Sequence, residues 1–184
     1  MTLALVLFVG LLAAIAAVFY FVFASFWFGA GYQPTPRRSV EAMLDLAAVG
    51  PSDTVYDLGA GTGAVVFRAA RERRATVVGV EVEPLRMLIL RARRRFGAHG
   101  ERVSLRWGNL FHLDFRPATV VAVFLWPEAM RRLRPLFEEQ LREGARVVSH
   151  YHPLPGYRAA RVDREAKVYF YRWPPEPEPG PGDA

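Results

Sequence analysis

The chain has 184 residues, a formal net charge of +6 and no cysteine. The lack of cysteine excludes disulfide bonds, thiolate metal sites and cysteine nucleophiles. The first charged side chain is Arg37, which divides the sequence into an apolar leader and a polar body. The body has about 150 residues, enough for one domain with its own core.

The leader, Thr2 to Ala30, carries no charged residue and no proline. As a helix it would extend about 43 Å, enough to cross a hydrocarbon core of about 30 Å. A cleaved signal peptide is the alternative, but such peptides begin with basic residues and end in small ones, whereas aromatic residues occupy positions 26–28 here. We therefore interpret residues 1–30 as a single transmembrane anchor. Arg37 and Arg38 follow it, so the positive-inside rule predicts a cytoplasmic body.

Strand-like and helix-like patterns alternate through the body. This alternation predicts an α/β fold with a mostly parallel sheet covered on both faces. We predict helices at 39–48, 63–73, 84–96 and 127–142, strands at 54–58, 77–81, 102–107, 119–125 and 145–149, and an antiparallel C-terminal hairpin of 159–162 with 167–172. We expect one domain over residues 31–173, followed by a Pro/Gly-rich disordered tail over 174–184.

A strand–turn–helix segment near the start of the body carries Asp57, Gly59, Gly61 and Gly63. The spacing differs from the G-x-G-x-x-G of dinucleotide-binding folds. The D-x-G-x-G-x-G pattern resembles motif I of the class I S-adenosylmethionine-dependent methyltransferases, whose sheet is Rossmann-like. The resemblance implies S-adenosyl-L-methionine as the cofactor. The glycines would let the backbone approach it closely, and Asp57 would help to order the loop and the cofactor's ammonium.

Two further polar side chains follow predicted strands. Glu81 ends the second strand, where a carboxylate can accept hydrogen bonds from both ribose hydroxyls, and Glu83 competes for this role. Asn109 follows the third strand, where these enzymes often place an acid near the adenine amino group. Its amide oxygen can accept the same hydrogen bond, or the residue can serve only to form a turn. We expect Glu81 and Asn109 to contact the cofactor.

Several short segments make the resemblance more specific, namely Tyr32–Pro36 (YQPTP), Gly108–Phe111 (GNLF), Phe124–Met130 and Arg146–His150 (RVVSH). They resemble the lysine methyltransferases that act on the ATP synthase c subunit and the adenine nucleotide translocase, with their prokaryotic relatives. The resemblance extends over about residues 31–157. It implies that Thr35, in the segment preceding motif I, lies at the cofactor cleft. Asn109 departs from the family pattern, which has aspartate there.

The reaction so implied is methyl transfer to a lysine amine. That amine must be neutral to attack, although a free lysine has a pKa of about 10.4. Trp126 is the candidate wall of an apolar channel and Glu128 a candidate proton acceptor; a core aromatic and a first-turn helix acid are the alternatives. His150 is either a substrate-side residue or a capping histidine. His150 and His152 have no evident third metal ligand, so we expect no metal.

Arginine clusters at 71–74 and 91–95 are interpreted as solvated helix faces or as contacts with anionic lipid, and no nucleic-acid partner is expected. The leading hypothesis is a membrane-anchored, S-adenosylmethionine-dependent protein-lysine N-methyltransferase. Its acceptor would lie in a membrane protein, and its own anchor in the lipid bilayer. The alternatives are a lipid or small-molecule methyltransferase at the membrane and a non-catalytic, cofactor-binding membrane scaffold.

Overall fold

The computed structural model describes residues 3–27, 33–97 and 100–178. Two compact units divide the chain, the first ending at Gln33 and the second beginning at Pro34.

The first unit contains one apolar helix, α1, which spans Leu3–Trp27. Its segment Leu3–Tyr20 has a mean hydropathy of 2.7, and none of it is buried. At 1.5 Å per residue α1 is about 37 Å long, so its length and composition would allow it to cross a membrane. The predicted N-terminal helix is thus confirmed as a helix, while residues 28–30 lie outside the described residues.

Seven strands form one sheet in the second unit, in the order β3-β2-β1-β4-β5-β7-β6. The strands are β1 Thr54–Leu58, β2 Thr76–Glu81, β3 Val103–Trp107, β4 Val120–Val123, β5 Arg146–His150, β6 Arg161–Asp163 and β7 Val168–Arg172. Strands β1 to β5 run parallel, and β7 is antiparallel to both β5 and β6. The predicted α/β fold with an antiparallel C-terminal hairpin is therefore confirmed. We call the edge at which β1 to β5 end the carboxyl edge.

Four helices complete the second unit: α2 Arg37–Leu46, α3 Ala64–Glu72, α4 Pro84–Phe96 and α5 Pro127–Gln140. Their apolar residues recur at helical spacing, and one face of each helix is buried against the sheet. Proline occupies the first turn of α4 and of α5, where its missing N–H leaves no intrahelical bond unmade. The largest group of buried apolar residues joins α2, α3 and α4 to the sheet.

Helix and strand boundaries in the second unit differ from the sequence prediction by at most two residues, and the end of β4 and the C-terminal segment show the clearest differences. β4 ends at Val123, because residues 124–126 leave the sheet at the carboxyl edge and lead into α5. Residues 174–178, which the sequence assigns to a disordered tail, pair with the segment 156–158. Arg158 N–H donates to Glu176 O over 2.9 Å, and Glu178 N–H donates to Gly156 O over 3.0 Å. Residues 179–184 lie outside the described residues.

The direction of α2 shows at which edge of the sheet the chain enters the second unit. Ser39 Oγ, in the first turn of α2, donates to Ala166 O over 3.0 Å, in the turn that precedes β7 at the carboxyl edge. At the other end, Arg146 at the start of β5 donates to Ala47 O over 2.6 Å. The helix therefore runs from the carboxyl edge to the opposite, amino edge, and the chain enters the second unit at the carboxyl edge.

Candidate cofactor and acceptor site

The loop between β1 and α3 requires glycine. Gly59, Gly61 and Gly63 have φ angles of +81°, +55° and +88°, in the left-handed region that other residues rarely adopt. A Cβ added to Gly63 would also lie 2.8 Å from Leu90 Cδ2. The loop thus presents bare backbone at the carboxyl edge, a surface that a small molecule can approach without meeting side chains.

Glu81 and Glu83 have different partners. Glu81 Oε2 accepts from Gly61 N–H over 2.8 Å, so this carboxylate faces the glycine loop. Glu83 is fully buried and caps α4, its oxygens accepting from Leu85 N–H over 2.9 Å and Arg86 N–H over 2.8 Å. Glu81 also has both oxygens engaged, since its Oε1 accepts from Val82 N–H over 3.1 Å and from Glu83 N–H over 2.9 Å. Its contact with the glycine loop is what favours Glu81 as the ribose acceptor. The ribose contact itself stays a prediction.

Asp57 lies in the middle of the sheet, beside Gly79 of β2 and Ala122 of β4, and is only 6% exposed. Burial, and next the charge of Glu81, raise the pKa of Asp57 to about 7, although the backbone N–H of Val66 stabilises its carboxylate. Burial also raises the pKa of Glu81. A ligand that brings positive charge would stabilise both carboxylates, and S-adenosylmethionine carries an ammonium and a sulfonium. The loop and the acids therefore fit this cofactor.

Asn109 and Thr35 are less tightly defined. Asn109 Oδ1 accepts from Phe111 N–H over 3.0 Å, at the start of a short 3-10 helix, Leu110–His112. The turn-forming role of Asn109 is therefore observed, and its adenine contact stays a prediction. Thr35 is half-buried in the segment that precedes α2, and its cofactor contact also stays a prediction.

Sequence reasoning missed Trp107, the last residue of β3. Its indole is 60% exposed, and its Nε1–H donates to Val82 O over 3.0 Å. The strand register places Trp107 beside Glu81. The available signal was an aromatic residue at a strand end, directly before the glycine of the Gly-Asn turn. The indole adds an apolar face to the part of the carboxyl edge formed by β1, β2 and β3, which we call the cofactor side.

Trp126 and Glu128 lie where α5 begins. Trp126 is 51% exposed, so it is not a core aromatic, and its ring centroid is 5.9 Å from that of His152. Glu128 is exposed and forms an ion pair with Arg131 one turn along α5. The structure thus places Trp126 at the carboxyl edge, whereas Glu128 has the partner expected of a solvated helix acid. A proton-accepting role for Glu128 stays a prediction.

His150 is 5% exposed at the end of β5. Its Nδ1 lies 3.2 Å from Lys167 O, and its ring meets Phe124 edge-on, with centroids 4.4 Å apart. Burial lowers the pKa of His150 and of the neighbouring His152, so both rings are mainly neutral at pH 7. No three His, Cys, Asp or Glu side chains come together among the described residues to hold a metal ion. The ends of β4 and β5, which we call the acceptor side, thus carry aromatic side chains and two neutral histidines, with the ammonium of Lys167 over the ring of Tyr151.

Comparisons with known proteins agree with this geometry. The family description "ANTKMT methyltransferase domain" matches residues 57–161. A protein-lysine N-methyltransferase of Saccharolobus islandicus (strain REY15A) is 37% identical over 132 residues, which is 71% of this chain and 82% of the relative. The adenine nucleotide translocase lysine N-methyltransferase of Mus musculus is 30% identical over 142 residues, 76% of this chain and 62% of that protein.

A solved structure resembles the second unit closely. The crystal structure of an RNA methyltransferase from Salinibacter ruber in complex with S-adenosyl-L-homocysteine has a TM-score of 0.72 and 40% sequence identity, and it covers 82% of this chain and 98% of that one. That complex contains the demethylated form of the cofactor that the glycine loop and the buried acids fit. The chain therefore belongs to the family of the ANTKMT methyltransferase domain and is an S-adenosylmethionine-dependent methyltransferase.

Proposed function

We propose that the chain is a membrane-anchored protein-lysine N-methyltransferase whose acceptor lysine lies close to the bilayer in an integral membrane protein. Both relatives described above are named lysine N-methyltransferases, and the mouse enzyme is named for the adenine nucleotide translocase. The observation that carries the proposal is that the second unit begins at the carboxyl edge, where the site lies. An anchor before Pro34 would therefore enter the domain beside its site.

The length of the connection supports this proposal. Five residues, 28–32, separate α1 from Gln33. Fully extended, five residues span at most about 18 Å. If α1 crosses the bilayer, an acceptor near the same membrane surface gains a high effective concentration, whereas a soluble acceptor does not. Arg37 and Arg38 follow the apolar segment, and by the positive-inside rule they favour a cytoplasmic location for the domain.

The side chains of the acceptor side suit an amine. S-adenosylmethionine supplies a methyl group activated by its sulfonium. The acceptor nitrogen must attack as the neutral amine, and removal from water among apolar side chains favours that form. Trp126 and Phe124 provide apolar surface, and neither they nor the neutral ring of His150 add a negative charge that would keep the amine protonated. The incoming ammonium would first lose its proton to water or to the exposed carboxylate of Glu128, and the neutral nitrogen would then take the methyl group as S-adenosylhomocysteine leaves.

RNA methylation is a second candidate, because the Salinibacter ruber protein is named an RNA methyltransferase. The positions of the arginine clusters favour protein over RNA. Arg94 donates to Gly100 O over 3.2 Å, just before β3 begins, and Arg102 donates to Arg74 O over 2.9 Å, just after α3 ends. Both contacts lie at the amino edge, so phosphates bound there would be at the opposite edge of the sheet from the site. Arg93 of the second cluster differs, because it donates to Thr62 O in the glycine loop.

Transfer of labelled methyl groups into fractionated membranes tests the proposal. We expect the full chain to label a membrane protein on lysine, and Glu81→Ala to abolish the labelling. Label in RNA would establish the second candidate, label in lipid would establish a lipid methyltransferase, and no label would leave only a cofactor-binding scaffold.

The tether is tested separately with a flexible insert of about forty residues after Ala30, which should slow methylation of the membrane acceptor. An unchanged rate, or better labelling of soluble proteins, would refute the proximity argument. Protease added to intact cells should spare a C-terminal tag, and rapid digestion of that tag would refute the cytoplasmic placement.

A further inference from the structure

The only lysine of the chain lies at the acceptor side. Lys167 Nζ stands over the ring of Tyr151, 4.5 Å from its centroid. The acids of the same turn are engaged elsewhere, since Glu165 pairs with Arg38 and Asp163 Oδ1 accepts from two backbone N–H groups of the turn. The Lys167 ammonium is therefore placed on an aromatic face although two carboxylates lie in the same turn.

The backbone holds this pair in place. Tyr151 and Lys167 both have positive φ angles, +69° and +52°, which non-glycine residues adopt only when their surroundings impose them. Tyr151 N–H donates to Lys167 O over 2.7 Å, and the neighbouring register pair is His150 with Val168. The pairing of β5 with β7 thus brings the backbones of Tyr151 and Lys167 together, from which the lysine side chain reaches the ring.

The ring of Tyr151 belongs to a continuous aromatic array. Its centroid is 5.0 Å from that of His152, which in turn is 5.9 Å from that of Trp126. Burial lowers the pKa of His152, so the ring between the two larger aromatics does not repel a cation at pH 7. The array leads from Trp126 to a face that already holds a lysine ammonium.

We propose that the Tyr151 ring is a binding subsite for alkylammonium groups, which takes the side chain of the incoming acceptor lysine and its methylated products, and which Lys167 occupies until an acceptor displaces it. Aromatic faces attract ammonium ions and are the usual receptors of methylated ones. The bound Lys167 is chemically the same group as the proposed acceptor. This inference rests on the proposed lysine-methylating function and names a residue that would hold the acceptor before its proton is lost.

Binding of a small probe tests the subsite without catalysis. Saturation-transfer NMR would compare the binding of tetramethylammonium with that of neopentyl alcohol, a neutral probe of similar shape. The protein is the full chain in detergent, with S-adenosylhomocysteine present at a saturating concentration. An exposed cation–π contact changes affinity by about two- to fivefold. We expect Lys167→Gln to strengthen tetramethylammonium binding by that factor, Tyr151→Phe to preserve it and Tyr151→Leu to weaken it. Equal binding by the Phe and Leu variants, or no gain in Lys167→Gln, would overturn the proposal.

A kinetic comparison separates this inference from the proposed function. With a single-lysine peptide as acceptor, Tyr151→Leu should raise KM by about two- to fivefold relative to Tyr151→Phe, and Lys167→Gln should lower KM. If the native chain methylates the peptide but KM is the same in both Tyr151 variants, the subsite is wrong and the function stands. If no lysine is methylated while tetramethylammonium binds as expected, the proposed function is wrong and the subsite stands.

Discussion

Replacing Asp57 with asparagine should stabilise the cofactor-free protein while weakening its hold on the cofactor. The carboxyl group is buried in the sheet between β2 and β4, and its pKa is raised to about 7 from an ordinary value of 3.8. Asparagine has nearly the same shape and carries no charge. The substitution therefore removes the cost of the buried charge and, with it, the attraction for a cationic ligand.

The size and sign of the effect follow from this pKa. Because the folded-state pKa is raised, the stabilising contribution of the protonated group is complete below pH 3.8 and is lost as the pH rises through about 7. The full difference corresponds to about 4 kcal/mol, and between pH 5 and pH 8 the loss is about 3 kcal/mol. Asp57→Asn should avoid this loss, so its advantage over the native chain should grow by about 3 kcal/mol over that interval.

Thermal unfolding in detergent at pH 5 and pH 8, with and without S-adenosylhomocysteine, measures both effects. A gain of about 3 kcal/mol would raise Tm by roughly 6–12 °C for a domain of this size. The cofactor product should raise the Tm of the native chain at pH 8 but hardly that of the variant. Its affinity for the native chain should fall below pH 7, where Asp57 is protonated.

Asp53→Asn is the matched control for this experiment. Asp53 forms an ion pair with Arg146 and accepts from Thr119 Oγ1 over 2.7 Å, so its loss should destabilise the protein at both pH values. If Asp57→Asn shows no gain at pH 8, or a gain that does not depend on pH, the argument from the buried charge is refuted.

Three other predictions concern single substitutions, the first of them with a control substitution. Gly63→Ala should weaken S-adenosylhomocysteine binding at least about tenfold by calorimetry, because its Cβ meets Leu90. Gly144→Ala is the control, since Gly144 also has a positive φ but its added Cβ would meet no other atom. This control should only lower the unfolding free energy, by about 1–2 kcal/mol. Glu83→Ala should lower the unfolding free energy by about 1–2 kcal/mol in urea, since it removes the cap of α4; unchanged stability would contradict that role. Tyr171→Phe removes the hydroxyl that accepts a hydrogen bond from the buried N–H of Leu154, which should lower the unfolding free energy by about 1–3 kcal/mol. Unchanged stability would show that another acceptor replaces the hydroxyl.

The order of elements could be predicted because local sequence determines it. Strands buried on both faces are continuous apolar runs, and β1, Thr54–Leu58, was predicted to the residue. The helix α4 was also predicted to the residue, since Pro84 marks its first turn and Gly97 follows its last. The resemblance of Asp57 and the loop glycines to motif I likewise implied the cofactor, because that motif is a local sequence pattern.

Contacts between distant residues could not be predicted. The sequence favours Glu81 over Glu83 only because Glu81 ends the strand, whereas the folded chain shows that Glu83 caps α4 and Glu81 turns back to the glycine loop. The meeting of Tyr151 and Lys167 depends on the register of β5 against β7, which no local pattern specifies. The sequence therefore indicated residues on the cofactor side, whose contacts stay predictions, but it did not indicate the contact of Tyr151 with Lys167 on the acceptor side.

The strand order explains why the two sides differ in charge. The chain adds β2 and β3 on one side of β1 and then crosses to add β4 and β5 on the other, so the order reverses between β1 and β4. Ligands of open α/β sheets bind at such a reversal, outside the carboxyl ends of the strands. On the β1–β2 side lie Asp57 and Glu81, two acids suited to the cationic cofactor. On the β4–β5 side lie Trp126 and the neutral His150, which add no charge that would keep an amine protonated. An amine arriving from this side would meet the methyl group at the reversal, where the acidic and aromatic halves of the carboxyl edge adjoin.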